Sequence, residues 1–273
     1  MKDKLYISLL KKVLIDYHRI GIDEYSPLYP PKNPNLRFKI LRVLDSFFRS
    51  RKLAITRIVR SNYEDRVNGN DWPIYADTMV GLKRLDNIEF CINDIIKNGI
   101  PGDLIETGVW RGGCTIFMNA LLKLNNELHR NVWVADSFEG LPMPNVEKYK
   151  EDKGDYLYKM EELSINLDTV KNNFKKYDLL TQNVKFLKGW FKDTLSTDKI
   201  KKLSLLRLDG DMYESTMDSL TNLYPKLSIG GYIIIDDWGA VEACKKAVLD
   251  YRLEHKIDSE IIEIDHLSVF WKK

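Results

Sequence analysis

From position 103 onward, short apolar runs take turns with longer stretches whose apolar residues recur every three or four positions. The runs at 103–109, 132–136, 184–190, 203–209 and 232–236 have strand length, and the stretches at 113–125, 168–177, 214–224 and 241–256 have helical periodicity. A strand that lies parallel to its predecessor needs a crossover long enough for a helix, so this rhythm predicts a parallel sheet with helices on both faces. The last two runs, 260–264 and 267–271, are separated by only two residues. That gap is too short for a crossover and predicts a hairpin with an antiparallel final strand.

Upstream the pattern changes. Leu9, Leu10, Val13, Leu14 and Tyr17 recur at helical spacing within residues 5–17, after which Pro27, Pro30, Pro31 and Pro34 predict a connector without regular structure. Within residues 38–59, Ile40, Leu44, Phe47 and Phe48 form one stripe while Arg37, Arg42 and Arg49 fall off it. A basic amphipathic helix, or two short ones, is expected there. A further helix through Leu82, Leu85, Ile88, Cys91, Ile92, Ile95 and Ile96 is stopped by Asn98-Gly99 and Pro101. The expected division is a basic helical extension over residues 1–70 and a catalytic domain over residues 71–273.

Composition narrows the class. With 44% hydrophobic residues in 273 the chain can build a full core, and no window reaches the roughly 18 apolar residues of a membrane span. No apolar stretch with a small-residue cleavage site follows the first lysines, so a cytoplasmic location is expected. The three cysteines, Cys91, Cys114 and Cys244, are odd in number and widely spaced, which argues against a disulfide framework and thiolate zinc. Residues 1–60 carry fourteen Lys and Arg against five Asp and Glu, within a net charge of only +2. The extension is therefore basic and the body acidic. Docking of the basic helix on its own body or on a partner subunit is the simpler expectation, contact with anionic membrane the alternative, and no nucleic acid is expected.

Candidate chemistry gathers at the strand ends. In Asp103 to Gly113, DLIETGVWRGG, a strand leads through Glu106 and Gly108 into a helix, a turn that lets a ligand approach the backbone closely. Its glycines miss the G-x-G-x-x-G register of a dinucleotide site, and an acid before a single glycine suits a cationic amino-acid cofactor. Asp136, closing VWVAD, is placed to accept both ribose hydroxyls, and Lys188 to Phe191, KGWF, offers Gly189 and Trp190 beside an adenine. The next strands end in LRLDGD (Leu206 to Asp211) and IIIDDW (Ile233 to Trp238). Four carboxylates at one edge repel one another unless a cation intervenes, and oxygen ligands without Cys or His point to Mg²⁺ or a similar ion. Asp209, Asp236 and Asp237 are the expected ligands, with Asp211 capping the helix that begins near Glu214. Asp209 is also the expected base for a hydroxyl acceptor, and His266 in the hairpin turn is a second candidate. A nicotinamide-dependent oxidoreductase and a catalytically silent membrane-surface binding protein are the competing readings.

These residues stand in motifs that resemble the macrocin O-methyltransferase family (TylF/MycF-like), bacterial enzymes that methylate sugar hydroxyls. The resemblance runs from about Asp71 to Lys273, through DWPIYADTMVGLKRLDN, PGDLIETGVWRGG, VWVADSFEGLP, KGWFKDTL, LRLDGDMYEST and GGYIIIDDW. It implies a Rossmann-like class I methyltransferase fold of α/β class: a seven-stranded, mostly parallel sheet with an antiparallel C-terminal strand. It implies S-adenosyl-L-methionine held by Thr78, Met79, Glu106, Gly108, Arg111, Gly112, Asp136, Ser137, Gly189, Trp190 and Asp209, and Mg²⁺ held by Asp209, Asp236 and Asp237. The acceptor would be a sugar hydroxyl of a glycoside, sugar nucleotide or surface-polysaccharide unit, and the assembly a homo-oligomer, dimer or tetramer, in which residues 1–70 serve in oligomerisation or as an active-site lid. In related catechol methyltransferases a lysine shortly after the first metal ligand is the base; here Met212 stands third after Asp209, which favours Asp209 itself.

Overall fold

The computed structural model of the chain describes residues 2–29, 31 and 33–273. Helix α1 (Lys2–Leu14) opens the chain, followed by strand β1 (Asp23–Pro27), helix α2 (Leu36–Arg49), strand β2 (Thr56–Arg60) and the short helix α3 (Tyr63–Asn68). Helix α4 (Leu82–Lys97) then leads into β3 (Asp103–Thr107), α5 (Gly113–Leu124), β4 (Val132–Asp136), α6 (Leu167–Lys176), β5 (Val184–Lys188) and α7 (Phe191–Thr194). The last part holds β6 (Leu203–Leu208), α8 (Tyr213–Leu223), β7 (Leu227–Ile235), α9 (Glu242–Glu254), β8 (Ile262–Glu263) and β9 (Val269–Lys272).

Among the described residues, seven strands form one sheet in the order β5-β4-β3-β6-β7-β9-β8. Strands β3 to β7 pair in parallel, and β9 runs antiparallel to both β7 and β8. The order reverses between β3 and β6, and in open sheets of this kind ligands bind outside the carboxyl ends of the strands at such a reversal. Strand β6, LSLLRL, is buried at every position, as a central strand covered on both faces must be. One apolar cluster joins α4, α5 and α6 to one face of the sheet, and a second joins α8 and α9 to the other.

The first seventy residues differ from expectation in two ways. Leu10, Leu14 and Ile15 are buried in the same cluster as α4 and α5, so the start of the chain shares the catalytic core. The stripe of residues 38–59 is helical only to Arg49; Lys52 turns the chain through a left-handed conformation, and 56–60 pair antiparallel with 23–27. The Thr-Arg-Ile-Val sequence of β2 is rich in β-branched residues that suit a strand. Pro27 closes β1, at a strand terminus, where its missing N–H is tolerated; Pro30 lies outside the described residues. Ile40, Leu44 and Phe47 of α2 are exposed, so this stripe does not dock on the described body. No helix among the described residues is long and apolar enough to cross a membrane.

Candidate active site

The carboxyl ends of β3, β4, β6 and β7 meet at one edge of the sheet, stitched by hydrogen bonds that run past the last strand residues. Gly108 N–H donates to the Ala135 carbonyl, Asp209 N–H to Thr107 and Asp236 N–H to Leu208, each at 2.9 Å. Gly108 has φ +83°, and a Cβ there would lie 1.7 Å from the Asp209 carbonyl oxygen. Only glycine fits between these two strand ends. The following turns each place a non-glycine residue in the left-handed region: Trp110 (φ 48°), Phe138 (φ 59°) and Asp211 (φ 58°). Such conformations cost on the order of 1–3 kcal/mol each and persist where surrounding contacts hold them.

Between these turns lies a cleft of about 970 Å³, open to solvent. Of the residues expected to hold the cofactor, Met79, Gly108, Asp136, Ser137, Gly189, Trp190 and Asp209 line it. Asp136 Oδ2 accepts from Val109 N–H at 2.8 Å and Oδ1 from Phe138 N–H at 2.7 Å, so this carboxylate fixes the two turns flanking the cleft. Burial pushes the Asp136 pKa up, and those backbone donors oppose it. Gly189 N–H donates to the Asp136 carbonyl, and Ser137 Oγ donates to Gly140 at 2.6 Å, which shapes the loop running on to Leu141, Pro142 and Met143 in the cleft wall.

Thr78, Glu106, Arg111 and Gly112 do not line the cleft. Arg111 Nη1 donates to the Ile74 and Ala76 carbonyls at 2.7 Å, and Gly113 N–H donates to Asp77 at 2.9 Å. The strap over residues 74–78 thus covers the start of α5 and engages its first N–H. Thr78 Oγ1 lies 3.4 Å from Cys114 Sγ beneath that strap, and Gly112 packs against Val170, which a Cβ would approach to 2.9 Å. Glu106 is buried and paired with Arg207, and its Oε2 has no partner among the described residues. Burial pushes its pKa up to about 8 despite the guanidinium.

Asp209, Asp236 and Asp237 come together as expected, each offering an oxygen within 4.8 Å of the others. Their environments differ. Desolvation first and the Asp236 charge second push Asp209 up to about 6, whereas Asp236, despite burial, is held low by Arg207 and Arg84. Asp237 is raised by burial and by Asp211 and Asp209, and Asp211 is pushed to about 8 by burial and Asp209. Like charges in one place favour protonation, and a cation among them would remove that bias. His266 is exposed in the turn before β9 and does not line the cleft.

Several residues of this edge were not expected from sequence. Arg207 lies fully buried on β6 and donates to Glu106, Asp236 and, at 2.7 Å, Asp209. A charged residue inside an otherwise apolar run is the signal that marks it. Arg84 of α4 donates to Asp236 at 2.7 Å and Asp265 at 2.8 Å. Asp211 does not cap α8; Asp152 does so from a distant loop, accepting from Tyr213 N–H at 2.6 Å and Glu214 N–H at 3.1 Å. Asp211 instead lines the cleft and donates its N–H to Asp237 at 3.1 Å. A side chain sixty residues away can replace a local cap, which spacing alone does not reveal.

This geometry has close counterparts. The macrocin-O-methyltransferase (TylF) family model matches residues 3–273, including the first seventy residues outside the motifs above. The chain is 49% identical over 216 residues to demethyldecarbamoylnovobiocin O-methyltransferase of Streptomyces niveus, covering 78% of this chain and 82% of that one. It is 46% identical over 213 residues to mycinamicin III 3''-O-methyltransferase of Micromonospora griseorubida, covering 77% and 84%. The solved structure of the O-methyltransferase NovP superposes with a TM-score of 0.82 at 41% identity, over 99% of both chains. Methyl transfer, not hydride transfer, is the chemistry of these relatives, and the chain belongs to the macrocin O-methyltransferase (TylF) family of S-adenosylmethionine-dependent sugar O-methyltransferases.

Proposed function

We propose that this enzyme methylates a hydroxyl of an uncharged glycoside, with S-adenosyl-L-methionine as donor and a divalent cation, Mg²⁺ or similar, held by Asp209, Asp236 and Asp237. The observation that carries the reading is the meeting of those three carboxylates beside the cleft. The donor fits the residues present. Gly108 lines the cleft with backbone alone, its Cβ direction being taken by the Asp209 carbonyl, and two residues before it the buried Oε2 of Glu106 lacks a partner among the described residues. The cation fits as well, since all three candidate ligands are hard oxygens that crowd one another without it.

When bound, the donor supplies an electrophilic methyl group and the cation lowers the pKa of a neighbouring hydroxyl. The chain's own residues do the rest. Asp136 and the turns it fixes orient the nucleoside, and the aromatic rings of Trp190 and Phe191 give it an apolar wall. Asp209 lines the cleft with one oxygen on Arg207, and its other oxygen is the proton acceptor as the hydroxyl attacks. A glycoside is favoured over a sugar nucleotide by charge: Asp136, Asp209, Asp211, Glu214 and Asp218 line the cleft against Lys192 alone. A pyrophosphate would meet that field unfavourably, whereas Leu141, Pro142 and Met143 suit an apolar aglycone.

The test is a mass-spectrometric screen of paired acceptors, each sugar offered as glycoside and as nucleotide, with S-adenosylmethionine and Mg²⁺. Methylation of glycosides that stops with EDTA is expected; turnover of nucleotide sugars alone, or full rates in EDTA, would overturn the reading. The exposed stripe of Ile40, Leu44 and Phe47 on α2 supports a homo-oligomer. Light scattering should give a mass above one chain, and a monomer at working concentration would refute it.

A further inference from the structure

The end of β6 carries an arginine where packing asks for none. Arg207 sits among Leu205, Leu206 and Leu208, all buried, and an apolar side chain there would fill the space without the cost of burying a charge. Its guanidinium instead spans three strands, reaching Glu106 at the end of β3, Asp209 just past its own strand and Asp236 just past β7. Arg84 reaches Asp236 from α4 on the other oxygen: Arg207 binds Oδ1 and Arg84 binds Oδ2. Ser268 Oγ donates to the Asp236 carbonyl at 2.7 Å, and Asp265, Arg84's second partner, accepts the Leu267 and Ser268 N–H groups at 2.9 Å. Asp236 is thereby fixed from two sides.

Two further features belong to this network. Four carboxyl groups, those of Glu106, Asp209, Asp236 and Asp265, share two guanidiniums, so acids outnumber bases within it. Arg207 Nε, Arg84 Nη2 and Glu106 Oε2 are buried without a partner among the described residues. Each of these atoms belongs to a side chain that is itself bonded to Asp236 or to Arg207, next to the candidate cation ligands.

We propose that Arg84 and Arg207 are positioning residues that hold the cation ligands in place before the ion arrives, Arg84 for the ion side alone and Arg207 for the ion and the cofactor together. The proposal rests on the reading of Asp209, Asp236 and Asp237 as a cation site. Arginine is required because its planar fork can hold two or three carboxylates at fixed angles, which a lysine ammonium of the same charge cannot.

The test compares Arg84→Lys and Arg207→Lys with the wild-type protein by electron paramagnetic resonance of added Mn²⁺ and calorimetry with S-adenosylhomocysteine, on samples whose circular dichroism shows the native fold. Arg84→Lys should weaken Mn²⁺ at least tenfold and leave S-adenosylhomocysteine within threefold. Arg207→Lys should weaken both by at least that tenfold margin. Mn²⁺ affinities within twofold of wild type in both variants would overturn the proposal while leaving the cation site standing. So would equal losses of both ligands in the two variants, the mark of a structural role. Wild-type protein that binds no Mn²⁺ would instead remove the cation site itself.

Discussion

Arg66 and Arg207 are the most deeply buried arginines among the described residues, each at the hub of a polar network, and the networks are built differently. Arg66, near the N-terminal end of the catalytic core, donates from all three nitrogens: to Asp71 at 2.7 Å, to the Ile15 and Asp16 carbonyls at 2.6 and 2.9 Å, and to Ser61 and Glu24. Its acceptors are mostly neutral, and they tie the end of α1, strand β1 and the chain after α3 to one point. Arg207 donates to carboxylates only, and its Nε stays unpartnered. Both networks hold two carboxylates per guanidinium, and each leaves a buried carboxyl oxygen unpartnered among the described residues, Asp71 Oδ1 in the first and Glu106 Oε2 in the second. The second differs in where its acids stand: Asp209 and Asp236, both on Arg207, converge with Asp237 beside the cleft, and a cation there would offset their mutual repulsion.

The largest effect that separates the two regions is on turnover. Asp209→Asn should lower kcat by about 10²–10⁴, the range for loss of a general base, while S-adenosylhomocysteine affinity in calorimetry stays within a few-fold. An unchanged kcat would take Asp209 out of the chemistry. Next comes stability. Arg66→Met strands Glu24 and Asp71 and should cost about 3–5 kcal/mol in urea unfolding, by the same amount with or without Mg²⁺. A loss that Mg²⁺ repairs would mean that the two networks are not independent.

A smaller effect concerns the cleft between them. Asp136→Ala removes the carboxylate that holds both flanking turns and should weaken S-adenosylhomocysteine by about 1–3 kcal/mol; an unaltered dissociation constant would place the nucleoside elsewhere. The smallest is electrostatic. Burial, then the Glu214 charge, push Asp218 up to about 6 in the folded protein. A carboxyl raised on folding binds its proton more tightly in the native state, so the native state loses relative stability as pH rises from about 4 through about 6. Asp218→Asn should therefore match wild type at pH 4 and exceed it above pH 6, by less than about 1 kcal/mol because the group is partly exposed. A variant that is less stable at high pH would reverse the sign of this argument.

The parallel sheet, its covering helices and the final hairpin were legible because alternation of strand-length and helix-length patterns leaves few other topologies. The meeting of Asp209, Asp236 and Asp237 was legible for the same reason, since adjacent parallel strands deliver their ends to one edge. What escaped depends on partners remote in sequence. Arg84 is 152 residues from Asp236, and Asp152 caps α8 from 61 residues away. Gly112 and Arg111 carry a strand-to-helix signature, yet the strap held by Ile74 and Ala76 covers them. The stripe on residues 38–59 read as helix throughout, because Ile58 and Val59 fit either period, and only pairing with β1 makes them a strand.

In the function proposed above, three aspartates from two strand ends hold one divalent cation beside the donor. Anomalous diffraction from crystals grown with Mn²⁺ and S-adenosylhomocysteine tests it most directly. A single peak bonded to oxygens of Asp209, Asp236 and Asp237 is expected at the mouth of the occupied cleft. A cleft filled by S-adenosylhomocysteine with no metal peak among those carboxylates, at a Mn²⁺ concentration that supports turnover, would contradict it.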